Sequence, residues 1–182
     1  MIIGIAGAAG AGKDTVADIL VRNYGFRKYN FALPIKQGLN TMFGWTMEQW
    51  DDRVWKEAVQ PAIGKSPRQL AQTLGTEWGR DLVHPELWLI LARRAYEAAD
   101  THFVIPDVRF TNEAQFLRAA GGEVWKIERP GCAAIAAHVS ESGIPTALVD
   151  RVLDNTSTMS VLHALVDCAL RGATNAAGVV GR

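Results

Sequence analysis

Met1-Ile2-Ile3-Gly4-Ile5-Ala6-Gly7-Ala8-Ala9-Gly10-Ala11-Gly12-Lys13-Asp14-Thr15-Val16 is the stretch that decides how this chain folds. Its first six residues are an apolar run of strand length. A G-x-x-x-x-G-K pattern follows at once, from Gly7 to Lys13, and the spacing of Val16, Ile19 and Leu20 then predicts an amphipathic helix. Strand, glycine-rich loop and helix, in that order, form the context of a phosphate-binding loop. Gly7, Gly10 and Gly12, with Ala8, Ala9 and Ala11 between them, leave the backbone free to approach an anion, and successive N–H groups can ring it. The helix that follows turns its positive end to the same place. Lys13 can reach the outer phosphates of a nucleotide, and Thr15 adds a hydroxyl. Asp14 stands where the standard pattern has Ser or Thr on Mg²⁺. Three readings follow: Asp14 lies near the metal, Thr15 replaces the missing hydroxyl, or the metal is held elsewhere.

Working outward, 182 residues suit a single domain with a sizeable core. Nineteen basic and nineteen acidic residues cancel, which argues against a surface that coats a nucleic-acid polymer. Cys132 and Cys168 have neither metal-ligand spacing nor a disulfide framework. No apolar run approaches the roughly 20 residues that span a membrane, and the N-terminus lacks a signal-peptide pattern, so a cytoplasmic enzyme is expected. Trp45, Trp50, Trp55, Trp78 and Trp88 fall in the middle third, which marks that region as more than a connector.

Taken in order, Phe26 to Phe31 reads as a second strand, and Pro34 opens a helix to about Phe43 that carries Lys36. Thr46-Met47-Glu48-Gln49 is a capping-box pattern expected to start a helix holding Trp50 and Trp55. Ser66-Pro67-Arg68-Gln69 is a second such pattern, ahead of a helix whose apolar face is Leu70, Ala71 and Leu74; Arg68 and Gln72 share its other face, and Gly75 to Arg80 ends it. A helix after His84 buries Trp88, Leu89, Ala92 and Tyr96. The third strand, Thr101 to Pro106, delivers Asp107 and Arg109 to its C-terminal end, where a carboxylate can hold Mg²⁺. Asn112 caps the next helix, Glu123 to Glu128 is the fourth strand, and Arg151 to Asp154 is the fifth. The last helix, Ser157 to Arg171, presents Val161, Leu162, Leu165 and Cys168 to the core, and the chain frays from Gly172. Five strands alternating with helices predict an α/β fold with a parallel sheet. The glycine loop, Ala32–Lys36, Asp107, Arg109, Arg129 and Asn155 then meet at one sheet edge.

Several stretches in this order resemble the P-loop deoxynucleoside monophosphate kinases typical of tailed bacteriophages. They are Gly12-Lys13-Asp14-Thr15-Val16-Ala17, Phe31-Ala32-Leu33-Pro34-Ile35-Lys36, Arg68-Gln69-Leu70, Leu74 to Arg80, Asp107 to Ala114, Gly121-Gly122, Arg129-Pro130-Gly131, His138-Val139-Ser140-Glu141 and Leu153-Asp154-Asn155. The resemblance implies a P-loop three-layer sandwich with a five-stranded parallel sheet in the order 2-3-1-4-5. It implies one kinase domain over 1–182, with a helical acceptor-binding region at 37–100 and a lid-like segment at 129–148. It further implies transfer of the γ-phosphoryl of ATP to a deoxynucleoside monophosphate, in a protein that is often a homodimer and acts in the host cytoplasm when it belongs to a phage.

Site roles follow from the same resemblance. Gly7 to Thr15 and Asn155 would bind ATP. Asp14, Thr15 and Asp107 are the candidates for Mg²⁺. Lys13, Asp107, Arg109 and Arg129 would carry the chemistry. Phe31, Lys36, Arg68, Gln72, Trp78, Arg80, Arg109 and His138 would bind the acceptor, Trp78 by stacking on the base. Two other readings of the loop are a small-molecule kinase acting on a hydroxyl, such as dephospho-coenzyme A, and a nucleotide-binding protein without catalysis.

Overall fold

Five strands, β1 (Ile2–Ala6), β2 (Arg27–Lys28), β3 (Phe103–Ile105), β4 (Glu123–Glu128) and β5 (Arg151–Asp154), form one parallel sheet in the order β2-β3-β1-β4-β5. The expected fold class and strand order are those observed. The computed structural model describes residues 1–132 and 144–179. β1 is buried at every position, as a central parallel strand covered on both faces must be. Its alternate residues serve two layers. Ile3 and Ile5 join a core with Val16, Ile19 and Leu20 of α1 (Lys13–Tyr24) and Leu162, Val166 and Ala169 of α7 (Met159–Val179). Gly4 faces the other way, where a side chain would meet Leu117 of α6 (Thr111–Ala119).

The chain divides into two compact units, Met1–Asn30 with Tyr96–Arg182, and Phe31–Ala95. The first holds the sheet. The second holds α2 (Leu33–Phe43), α3 (Arg53–Glu57), α4 (Pro67–Gln72) and most of α5 (Leu87–Glu97). Its core is Ile35, Leu39, Trp50 and Trp88, with Trp45, Trp55, Leu70, Ala71 and Leu74 against it. Trp45, Trp50 and Trp55 meet edge to face at centroid distances of 5.1 to 6.0 Å, the arrangement aromatic quadrupoles favour.

Several local expectations are corrected. β2 is only two residues long, because Tyr29 already leaves the ladder after its N–H bonds Val104. The Thr46 pattern starts no continuous helix. Gln49 accepts from the Thr46 N–H, a 3-10 turn spans Glu48–Asp51, and Asp52 then caps α3 by accepting from Val54 and Trp55. Ser66 and Gln69 do form the reciprocal capping box that starts α4. That helix does not end at Gly75. It widens into a π-helical segment, Thr73–Val83. Tyr96 is only half-buried. On α7 the inward residues are Leu162, Val166, Ala169, Leu170 and Ala173, whereas Val161 and Cys168 are exposed, so the helical face is rotated from the one expected. The helix starts at Met159 and continues through Gly172 to Val179 instead of fraying there.

Candidate active site

The register of the sheet builds the site. Gly4 of β1 pairs with Ile105 of β3, and Ala6 pairs with Lys126 of β4. Neighbouring strands lie about 4.8 Å apart, so Gly7, Asp107 and Ile127 emerge side by side. The Val108 N–H bonds the Ile5 carbonyl at 3.3 Å and ties the Asp107 turn beneath β1. Glu128 of β4 pairs with Asp154 of β5, which brings Asn155 to the same end.

Gly7 has φ +142°, and a Cβ there would sit 2.5 Å from the Ile127 carbonyl oxygen. Gly12 has φ +102°, and a Cβ there would strike the Asn155 amide. Both positions need glycine for conformation and for space. Lys13 folds back, its ammonium donating to the carbonyls of Gly7 at 2.9 Å and Ala8 at 2.8 Å. The loop is thus curled around its own lysine. Asn155 braces it from behind: its side-chain amide donates to the Ala11 carbonyl at 2.8 Å, while its N–H bonds Glu128 at 2.8 Å. Beyond β4, the turn at Arg129 closes with the Cys132 N–H on the Arg129 carbonyl at 3.3 Å. A Cβ on Gly10 would lie 3.6 Å from the Cys132 sulfur, so the root of the expected lid reaches the loop. His138 lies outside the described residues.

Asp14 is exposed and pairs with Lys28 of β2 at 2.8 Å. Lys28 also reaches Asp18 at 3.3 Å. Burial alone would lower the Lys28 pKa, but its hydrogen bond to and attraction by Asp14, helped by Asp18, raise it instead. Asp107 is half-buried, and its charge raises the pKa of Tyr29, to which burial contributes more. These oxygen donors suit Mg²⁺, which takes one or two carboxylates and completes its shell with water and substrate phosphates. Among the described residues no cluster of three or more His, Cys, Asp or Glu forms, and a site of that kind requires none.

The remaining acceptor candidates sit in the second unit. Phe31 is buried. Lys36 stands over the Trp50 ring, 5.6 Å from its centroid, and the Trp50 indole N–H bonds Asn40 at 2.8 Å. Arg68 pairs with Glu57 at 2.6 Å. Gln72 closes α4. Trp78 and Arg80 lie on the π-helical segment, where Trp78 is 46% exposed, available for stacking. That segment is held by the Trp88 indole N–H on the Gly75 carbonyl at 2.7 Å.

Two contributors escaped the sequence reading. Asn112 does not cap α6. The buried Glu113 carboxylate does, accepting from the N–H groups of Arg109 at 2.7 Å and Phe110 at 3.0 Å, and so it fixes the backbone that carries Arg109. A Glu three residues into a helix reaching back to its start is a legible signal, but here Phe110, not Ser or Thr, stands at the cap position. Lys28 gave no signal, because a lone lysine on a short strand looks solvated.

Comparison with known proteins agrees with this geometry. The Aquifex aeolicus shikimate kinase structure superposes with a TM-score of 0.55 at 14% identity, covering 96% of this chain and 98% of that one, which establishes the fold alone. A protein of Acanthamoeba polyphaga mimivirus, provisionally named a deoxynucleotide monophosphate kinase, is 31% identical over 188 residues, spanning 92% of this chain and 95% of its own length. The deoxynucleoside-5'-monophosphate kinase of Escherichia phage T5 is 27% identical over 224 residues, spanning 85% and 89%. The model of the deoxynucleotide monophosphate kinase family matches residues 1–60 and 58–166. With the loop, both of its flanking strand ends and the π-helical segment all inside that match, the chain belongs to the deoxynucleotide monophosphate kinase family.

Proposed function

We propose that this chain transfers the γ-phosphoryl group of ATP to a deoxynucleoside monophosphate, giving ADP and a deoxynucleoside diphosphate. The observation that carries the donor half is the Gly7–Gly12 loop closed around the Lys13 ammonium. Triphosphate oxygens can replace the two carbonyls as its partners, with the N-terminus of α1 behind them. The family supplies the acceptor.

An acceptor phosphate has a second pKa of about 6 and is already largely dianionic at neutral pH. Its oxygen needs no strong base, so catalysis is positioning and neutralisation of charge. We assign Arg129 to the charge on the transferring phosphoryl and Arg109 to the acceptor phosphate, as forked guanidinium groups suit phosphate oxygens. Phe31, Lys36, Arg68, Gln72, Trp78 and Arg80 are assigned to the acceptor nucleotide, and His138 to the lid. Arg68 would exchange Glu57 for phosphate. Thr15 and Asp107 are the donors we assign to Mg²⁺, which when bound neutralises phosphate charge. Asp14, the third oxygen candidate beside the loop, is paired with Lys28, which supports Thr15 and Asp107 over it. We read 1–182 as one kinase domain, with acceptor recognition in its helical part and a lid over 129–148.

A panel of all four deoxy- and ribonucleoside monophosphates with MgATP tests this reading. ADP release should depend on at least one deoxynucleoside monophosphate, and Lys13→Ala should lower that turnover at least about a hundredfold, the scale for losing one preorganised charge donor. Phosphorylation of a hydroxyl acceptor such as dephospho-coenzyme A, with no monophosphate used, would refute it.

A further inference from the structure

We propose that Lys28 is the counter-ion of the glycine loop: it draws the Asp14 carboxylate to the β2 edge, keeps it out of the metal's ligand set, and leaves the loop electropositive for a triphosphate. The proposal rests on the reading of Gly7 to Thr15 as an ATP site.

The geometry is specific. Asp14 and Asp18 are four residues apart on α1, so their side chains lie one above the other. Lys28 bridges both, at 2.8 Å to the first and 3.3 Å to the second. The lysine side chain is the better buried partner, 33% exposed against 79% and 48% for the two aspartates. It comes from a strand whose backbone is fixed by pairing Lys28 with Val104 of β3. The ammonium therefore sits on a firm support, and the carboxylates come to it.

The charge count explains why such a lysine is needed. A carboxylate in the first turn of α1 is favoured by the helix while the loop is empty. Once a polyanion arrives, the same carboxylate sits next to Lys13 and cancels its charge at short range. Asp18 adds a second negative charge one turn away. Lys28 offsets these charges. A chain with Ser or Thr after the loop lysine has no such charge to neutralise. Exposed ion pairs contribute little to stability, so the effect is to be sought in ligand binding and not in melting.

The experiment is equilibrium binding of ATP to the intact chain, measured calorimetrically with and without Mg²⁺ and without an acceptor. Lys28→Met should bind ATP about three- to tenfold more weakly, the scale of one unit charge lost several ångströms away in a partly screened site. Added salt should shrink the difference. Lys28→Arg should bind as the wild type does. The double variant Lys28→Met/Asp14→Asn should recover most of the lost affinity, which a merely structural role for Lys28 would not allow. Asp14→Asn alone should keep the effect of Mg²⁺ on ATP binding. Unchanged affinity in Lys28→Met, no recovery in the double variant, or loss of the Mg²⁺ effect in Asp14→Asn would each overturn the proposal while the ATP site stands. A wild-type chain that does not bind ATP overturns the ATP site and the proposal together.

Discussion

At the scale of the residue, Asn155 changes meaning most. It lies far along the chain, yet its amide holds Ala11 in the loop and its N–H holds Glu128 at the root of the proposed lid. One side chain thus links the donor loop to the strand end that leads to Arg129. Asn155→Ala should weaken ATP binding and lower stability by about 1–2 kcal/mol, the usual cost of stranding a part-buried carbonyl. Asn155→Asp should be worse than Ala, since a carboxylate cannot donate to Ala11 and repels the oxygen it faces. Titration calorimetry and thermal melting read the two effects separately. An Asp variant as good as wild type would mean that the amide does not brace the loop. The presence of Asn155 at this sheet edge was legible from its place just after a parallel strand. Its task was not, because a hydrogen bond to a carbonyl 144 residues away leaves no local pattern. Lys13 and the glycines were legible for the opposite reason: their chemistry is written in seven consecutive residues.

At the scale of the element, the π-helical segment Thr73–Val83 has the clearest consequence. Wide helical turns are rare and often mark functional sites. Here the Trp88 indole fills the space that opens, bonding Gly75 and pressing on Gly79 so closely that a Cβ at Gly79 would enter its ring. Gly79→Ala should therefore cost about 1–3 kcal/mol by overpacking, measured by denaturant unfolding, and should raise the KM for the acceptor more than that for ATP, because Trp78 and Arg80 flank the displaced residue. Equal effects on both substrates would argue against an acceptor role for this segment. The sequence suggested an ordinary helix ending at the glycines, since Gly75 and Gly79 resemble stops. Each in fact clears room for a side chain, Ile35 at the first and Trp88 at the second. The same limit applies to α7, where the face was misjudged: Val161 and Cys168 are apolar enough to fit the period, and only the sheet beneath selects Val166 and Ala173 instead.

At the scale of the whole molecule, the sheet is clamped at the end remote from the loop. Glu123 accepts two bonds from Arg151, at 2.7 and 3.0 Å, and a third from the Trp125 indole at 2.7 Å. Burial alone would raise the Glu123 pKa. The hydrogen bonds from Arg151 and Trp125 outweigh it and hold the group below its ordinary 4.5. A pKa lowered by folding means that the clamp contributes fully above the unfolded value and is lost as pH falls through the folded one. Glu123→Gln should melt lower than wild type near neutrality, by about 1–3 kcal/mol for hydrogen bonds to a charged group. The gap should narrow as pH falls below the ordinary carboxyl value and through the lowered one. A gap that widened on acidification would show that the pair does not act as described. The parallel α/β fold was legible because apolar runs and turn residues alternate along the chain, whereas the strand order came only from the family resemblance. The extents of β2 and β3 were not legible, because they end where pairing stops and not where hydrophobicity does.

β1 precedes every other strand in the chain and lies in the middle of the sheet. Its partners β3 and β4 begin only at Phe103 and Glu123, and the walls of the glycine loop, Ile127 and Asn155, come later still. During synthesis this wholly buried strand therefore lacks its two sheet neighbours while Phe31–Ala95 leaves the ribosome. The glycine loop is written well before the residues that complete its shape. A nascent chain halted before Asn155 carries every residue of the phosphate-binding motif and still lacks the brace behind it.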